Sequence, residues 1–474
     1  MLLHSRFVGL AALLLAGILA AGNDASAADA PAKKPNIIIF LADDLGYGEL
    51  GMQGNKEIPT PHIDSIAKAG IRFTSGYVSG PYCSPTRAGL MTGRYQTRFG
   101  HEFNEGQATP GGSVFGLPLT EKTIADRFKE MGYATCAIGK WHLGRQPEFF
   151  PMQRGFDEFF GTVANTSFLN PQNFIDSRKS GEVTPIKDDT FYTTDAYGER
   201  AVDWIEKHKD QPYLLYLPFN AQHAPLQATE KYLARHADIA DEKRRIFAAM
   251  MSAMDDAIGA VLQKVRDLGQ EENTLIFFLA DNGGPTLQTT SKNTPLRGNK
   301  ATTWEGGVRV PFAAQWKGHI PAGRTFDQPI IQLDILPTAL TAAGGKIDPE
   351  WKLDGVNLLP HLTGEVDANL GRLKPPHEAL YWRFGQQWAI RHSDWKLVVA
   401  NEPMNTARKD KTASLFNLAE DISESKDLAA DQPEKVKELR DLWEKWNAEL
   451  QPPAGCRCRL LRRQRGSKRS KDKK

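Results

Sequence analysis

The stretch Lys34-Pro35-Asn36-Ile37-Ile38-Ile39-Phe40-Leu41-Ala42-Asp43-Asp44-Leu45-Gly46-Tyr47-Gly48 decides the fold. Its middle is an unbroken apolar run led by β-branched residues. A strand with one wet face alternates apolar and polar residues. A run without alternation reads as a central strand covered on both faces, as in α/β sheets. The run stops on two adjacent carboxylates, which are costly at the end of a buried strand unless something cationic balances them. Ligand sites of open α/β sheets lie at that end of the strands. A helix N-cap accounts for Asp43 or Asp44 but not for both.

The same pattern returns at Thr274-Leu275-Ile276-Phe277-Phe278-Leu279-Ala280, which closes on Asp281-Asn282-Gly283-Gly284. Two buried strands ending in short oxygen-bearing side chains suit a hard cation. Oxygen ligands without His or Cys favour Ca²⁺ or Mg²⁺ over zinc. Between these strands the chain alternates helices with strands. A helix is expected over 60–70, with Thr60 as N-cap, Pro61 at its first position and Gly70 after its end. Another is expected to begin at Thr120 and run to Gly132. A strand over 133–138 leads to Gly139-Lys140-Trp141-His142, and alternation points Lys140 and His142 the same way if the strand persists. Cys136 inside it reads as a small core residue. A strand over 213–217 leads to Asn220-Ala221-Gln222-His223. An amphipathic helix over 241–268 precedes the second acidic strand, and a Gly-rich loop over 298–309 carries Lys300. Asp334 reads as a helix N-cap, and Arg309 as structural.

The chemistry centres on Pro81-Tyr82-Cys83-Ser84-Pro85-Thr86-Arg87-Ala88-Gly89-Leu90-Met91-Thr92-Gly93-Arg94. The turn-rich approach places Cys83 at a helix N-terminus, where free N–H groups favour negative charge. Arg87, one turn on, adds a cation to the same face. This describes a nucleophile where an anion docks. A buried structural Cys is the plainer reading, and for a lone Cys it usually wins.

Cys83-x-Pro85-x-Arg87, continued by Leu90-Met91-Thr92-Gly93-Arg94, resembles the signature of the type I, formylglycine-dependent sulfatases of the arylsulfatase and N-acetylgalactosamine-6-sulfatase kind. Gly139-Lys140-Trp141-His142-Leu143-Gly144 matches that family's second signature. The resemblance covers about residues 34–450. It implies an alkaline-phosphatase-like α/β large domain, with a mixed central sheet flanked by helices, and a small C-terminal antiparallel subdomain with a helix. It implies that Cys83 is oxidised to Cα-formylglycine by a formylglycine-generating or anaerobic sulfatase-maturating enzyme. It makes Asp43, Asp44, Asp281 and Asn282, with the oxygen at position 83, the ligands of Ca²⁺, with Mg²⁺ as the alternative. Arg87, Lys140 and Lys300 then neutralise the sulfate. A hydroxyl of the hydrated aldehyde attacks sulfur, His223 with Lys300 protonates the leaving oxygen, and His142 is the base of the second step. Without the resemblance, His223 reads as structural and Lys300 as a solvated charge. The expected substrate is a sulfated carbohydrate, with His101, Glu102, Asn104 and Arg297 as candidate sugar contacts.

The 474 residues carry 41% hydrophobic and 24% charged residues and a formal net charge of +2, ordinary for a globular enzyme and without a global field for nucleic acid. Of four cysteines, Cys456 and Cys458 are too close for an ordinary disulfide, and no spacing suggests zinc. Arg6, the apolar run 7–21 and Ala25-Ser26-Ala27 read as an export signal over 1–27. The run is short of the ~20 residues of a membrane span, and no later segment reads as one. The expectation is an exported, periplasmic protein. Its catalytic domain is expected over 28–375 and the subdomain over 376–450, with strands near 380–383, 388–391, 395–399 and 415–418 and a helix over 433–450. The stretch 451–474 reads as a basic, disordered tail, with ten basic side chains against Asp472 alone. Three rivals share features of this reading: a phosphate or phosphonate ester hydrolase of the same fold, a glycan-binding protein without turnover, and a zinc phosphotransferase. The last lacks the His ligands it needs.

Overall fold

Five parallel strands lie side by side in the order Thr274–Ala280, Asn36–Ala42, Tyr213–Pro218, Ala134–Lys140 and Glu158–Thr162. The structure is a computed structural model that describes residues 33–104, 115–363, 374–401 and 412–454. The expected signal over 1–27 and the basic run from Gly455 lie outside the described residues. Every residue of Asn36–Ala42 and of Thr274–Ala280 is buried, which is why neither run alternates. Ile37 pairs with Leu214 on one side and Leu275 on the other. Antiparallel Phe174–Asp176 closes one edge. Antiparallel Phe312–Gln315, then Ile71–Phe73 and Arg324–Phe326, extend the other to nine strands.

Two glycines leave no room for a side chain between the neighbouring strands Tyr213–Pro218, Ala134–Lys140 and Glu158–Thr162. Gly139 has φ +129°, and a Cβ there would sit 1.9 Å from the Pro218 carbonyl oxygen. A Cβ on Gly161 would sit 1.9 Å from the Gly139 carbonyl oxygen. Only glycine fits both positions.

Several helix starts differ from the sequence reading. Thr60 makes no side-chain cap for the Pro61–Lys68 helix; its hydroxyl accepts the Gly51 N–H. Asp255, from the Glu242–Asp267 helix, instead accepts the His62 and Ile63 N–H groups. The helix expected from Thr120 begins at Ile124, because Thr123 and Asp126 form a reciprocal capping box. Asp334 is not a side-chain cap of the Ile335–Ala342 helix. Its carboxylate is a buried knot that accepts the Ile331 and Val356 N–H groups and His377 Nε2. The Glu242–Asp267 helix, on length and composition, is long and apolar enough to cross a membrane, contrary to the sequence reading. Most of it is buried inside the protein, where it packs beside Thr193–Lys207 as a core helix.

The C-terminal strands Ala379–Phe384, Gln387–His392, Trp395–Val399 and Ser414–Asn417 form an antiparallel meander. The Pro433–Asn447 helix covers it, with Trp443 stacked on Trp388 and Trp446 on Tyr381. This small sheet is fastened to the segment after the short Gly76–Tyr77 strand, which pairs with Ile330–Ile331 in a separate two-stranded sheet. Trp382 Nε1 donates to the Val78 carbonyl at 2.7 Å, and its ring lies 5.3 Å from that of Tyr77.

Candidate active site

The two acidic strand ends meet because their strands are neighbours in the sheet. Asp44, at φ +63°, turns its N–H onto Asp281 Oδ1 at 3.2 Å, and Asn282 Nδ2 donates to Asp44 Oδ1 at 2.7 Å. The Cys83–Thr92 helix aims its first residue at this point. Asn104 accepts the Ser84 N–H at 2.9 Å and does the capping that Tyr82 does not. Cys83 Sγ donates to Asp43 Oδ1 at 3.4 Å and accepts from Lys300 Nζ at 3.2 Å.

Three cations stand among the carboxylates, Arg87 and Lys140 fully buried and Lys300 largely so. Arg87 donates through Nε and Nη2 to Asp281 Oδ2, at 3.1 and 2.8 Å, and through Nη1 to the Lys140 carbonyl. Lys140 Nζ donates to Asp43 Oδ2, and Lys300 Nζ lies 2.6 Å from Asp44 Oδ1. Three carboxylates thus face three cationic side chains, so no charge is buried without a partner. Burial works against charge on Asp43 and Asp44, yet Lys140 and Lys300 respectively hold their carboxyls below the usual range. Asp281 goes the other way: burial and the charge of Asp43 push it up, and a bound cation would bring it down. Burial, followed by the nearby Asp43 charge, pushes the Cys83 thiol well above the ordinary range. As a thiol, Cys83 is therefore a poor nucleophile.

Two histidines complete the ring. The strand does not persist to His142; it ends at Lys140, and His142 has φ +60°. His142 is 2% exposed and its Nδ1 has no hydrogen-bond partner. Burial, and then Lys140 and Arg87, keep its imidazole neutral. His223 Nε2 lies 3.6 Å from Asp44 Oδ2, and Nδ1 pairs with the Ala224 carbonyl.

The donor set fits a hard cation. Asp44 Oδ2 and Asn282 Oδ1 are buried without a hydrogen-bond partner. Ligand atoms of Asp43, Asp44, Cys83 and Asp281 all lie within 4.8 Å of one another. Orphaned buried acceptors converging on one point are what oxygen coordination of Ca²⁺ or Mg²⁺ requires.

The candidate sugar contacts all have partners within the protein. His101 is fully buried: its Nε2 bonds Ser84 Oγ at 2.6 Å and its ring stacks on Phe115. Glu102 is buried against Arg383, and Asn104 is spent on Ser84. Arg297 donates to the Glu424 carbonyl and lies over the Trp304 ring. His101, Glu102 and Asn104 lie in the chain that turns back beneath the Cys83–Thr92 helix, whereas Arg297 belongs to the loop that carries Lys300. Tyr82 was not singled out by the sequence reading. Its half-buried ring lies 5.1 Å from Lys300 Nζ and beside Phe384 at the mouth of the site. Its position next to Cys83 was the available signal. A separate cavity of about 780 Å³ beside Ser75, Arg309 and Arg391 contains none of the catalytic candidates.

The Sulfatase family's sequence model matches residues 35–345. Human N-acetylgalactosamine-6-sulfatase is 34% identical over 398 residues, covering 77% of this chain and 74% of the human protein. Rat arylsulfatase G is 31% identical over 456 residues, 85% of this chain and 84% of its own. The crystal structure of Ps i-CgsB in complex with k-i-k-neocarrahexaose superposes with a TM-score of 0.79 at 34% identity, over 89% of this chain and 94% of that one. The chain belongs to the sulfatase family. It has the family's alkaline-phosphatase-like fold, and it is a sulfuric ester hydrolase.

Proposed function

We propose that the chain hydrolyses sulfate monoesters of a sulfated glycan, with Cys83 converted to formylglycine and Ca²⁺, or else Mg²⁺, held by Asp43, Asp44, Asp281 and Asn282. The observation that carries this reading is the convergence of Arg87, Lys140 and Lys300 with three carboxylates on one buried residue, Cys83. The glycan class is supported by the human relative's name and by the k-i-k-neocarrahexaose in complex with Ps i-CgsB.

When present, the formylglycine hydrate supplies an oxygen nucleophile and the divalent ion polarises the sulfate oxygens. The chain's own residues do the rest. Arg87, Lys140 and Lys300 meet the charge of the ester with cations already in place, so little reorganisation accompanies reaction. His223, partly exposed beside buried Asp44, hands a proton to the leaving sugar oxygen, aided by Lys300. His142, neutral and with a free Nδ1, takes a proton in the second step. Export through the segment 1–27 to the periplasm and modification of Cys83 by a formylglycine-generating or anaerobic sulfatase-maturating enzyme belong to the same proposal.

The test is mass spectrometry across Cys83 on protein from a host with such an enzyme, followed by assay on sulfated saccharides and on an aryl sulfate and aryl phosphate pair. Thiol-to-aldehyde conversion with preference for sulfate supports the reading. An unmodified thiol in fully active protein, or faster phosphate cleavage, defeats it.

A further inference from the structure

The loop that carries Lys300 is held by the C-terminal sheet. Gln387, 4% exposed at the start of its strand, donates through Nε2 to the Ala301 carbonyl at 2.8 Å. Its Oε1 accepts the Asn401 N–H at 2.9 Å. Both ends of the amide are used, so its orientation is determined by its partners. Ala301 has φ +66°, a conformation that a side-chain-bearing residue adopts only when its surroundings enforce it. Its N–H donates to the Pro81 carbonyl, two residues before Cys83.

The same subdomain grips the loop further along. Thr303 Oγ1 donates to the Val399 carbonyl and Trp304 Nε1 to the Asn401 carbonyl. Glu424, fully buried at φ +52°, accepts Arg297 Nη1 through its carbonyl and the Glu305 N–H through Oε2. Lys396, also fully buried, lies 2.8 Å from Glu305 and 2.9 Å from Glu424. Both ends of the 297–305 loop are thus tied to residues beyond 380, Arg297 to the Glu424 carbonyl and Glu305 to the Glu424 and Lys396 side chains. Lys300 itself points the other way, to Asp44 and Cys83.

We propose that Gln387 is a positioning residue for Lys300: by holding the Ala301 carbonyl it sets where the Lys300 ammonium meets the reacting group. The small subdomain is then part of the catalytic apparatus although no side chain of its sheet enters the cation site. The proposal rests on Lys300 assisting the leaving oxygen. A misplaced Lys300 should therefore slow esters with poor leaving groups more than those with good ones. General loss of folding would slow both alike.

The experiment compares Gln387→Ala, Gln387→Glu, Lys300→Ala and the Gln387→Ala/Lys300→Ala double variant in the mature enzyme. Each is assayed on an activated aryl sulfate and on a sulfated saccharide, with thermal melting alongside. Gln387→Ala should lower kcat on the saccharide ten- to a hundredfold and on the aryl sulfate less than threefold, with KM little changed. In the double variant it should add nothing to the loss from Lys300→Ala, because coupled residues are not additive. Gln387→Glu should be no better than alanine, since a carboxylate facing the Ala301 carbonyl repels it. Equal losses on both substrates, additivity with Lys300→Ala, or unchanged kcat on the saccharide would overturn the proposal. If Lys300→Ala itself shows no leaving-group dependence, the role given to Lys300 fails first, which marks that outcome off from a failure at Gln387.

Discussion

The ammonium of Lys300 sits 3.2 Å from the sulfur of Cys83, although the two residues are 217 positions apart. A second bond, to Asp44, keeps it there. The cation is therefore in place before any ester arrives, and its contribution should appear in kcat. Replacing Lys300 by Met keeps the length of the stem and removes the charge. The expected loss in kcat is about 10²–10³-fold, the usual effect of deleting one preorganised charge-stabilising donor. Lys300→Arg should not restore it, because a planar guanidinium cannot occupy the place of a compact ammonium between Asp44 and residue 83. Steady-state kinetics on one sulfated saccharide checks both.

Asp43, Asp44 and Asp281 are already matched by Arg87, Lys140 and Lys300. A divalent ion entering the site brings surplus positive charge, which an anion can offset. Cation and anion should therefore bind with positive coupling. Melting curves should show Ca²⁺ raising Tm, equivalent to about 2.7 kcal/mol at a concentration 100 times its Kd. Inorganic sulfate should raise Tm with Ca²⁺ present and have little effect after chelation. Asn282→Ala removes one orphaned acceptor and should weaken the Ca²⁺ response without unfolding the protein. An identical sulfate response with and without the ion would contradict the assignment.

What could be read from the sequence was what short-range pattern encodes. Asn36–Ala42 and Thr274–Ala280 announced themselves because burial on both faces removes polar alternation. Their terminal carboxylates stood out because nothing apolar explains them. What could not be read is direction and long-range partnership. Thr60 has the residue type of a cap, but Asp255, far along the chain, holds that helix end. His101 and Glu102 have the chemistry of sugar ligands, but the turn after the Cys83–Thr92 helix points them inward. No periodicity links Gln387 to Ala301. The residue types of the candidate site were visible, while the frame that places them was not.

Gly139 offers a test of that frame. It precedes Lys140, and a Cβ would collide with backbone, namely the Pro218 carbonyl at 1.9 Å, which cannot rotate away. Gly139→Ala should therefore force two central strands apart, costing about 2–4 kcal/mol in stability, and displace Lys140 from Asp43. Gly132, also at positive φ, has open space around its Cβ position. Gly132→Ala should cost only the left-handed backbone penalty of about 1–2 kcal/mol. Tm and kcat measured together separate the two: the Gly139 variant loses both, the Gly132 variant only some stability.

His101 makes a prediction about acid. It is fully buried beneath the Cys83–Thr92 helix, and burial lowers its pKa to about 3, against an ordinary value of 6.5. In the unfolded chain it protonates near pH 6.5, while in the folded protein it stays neutral. Below pH 6.5 the unfolded state therefore binds one more proton, and stability falls as pH drops from 6.5 towards 3. The slope is at most about 1.4 kcal/mol per pH unit for this one group. His101→Gln keeps a polar partner within reach of Ser84 Oγ and removes the titration. Its Tm at pH 7.5 should be lower than that of the parent, because the ring stacked on Phe115 is lost. Between pH 6.5 and 4.5, however, its Tm should fall less steeply, and the two curves should converge. Parallel curves across that window would show that His101 does not carry the acid sensitivity assigned to it.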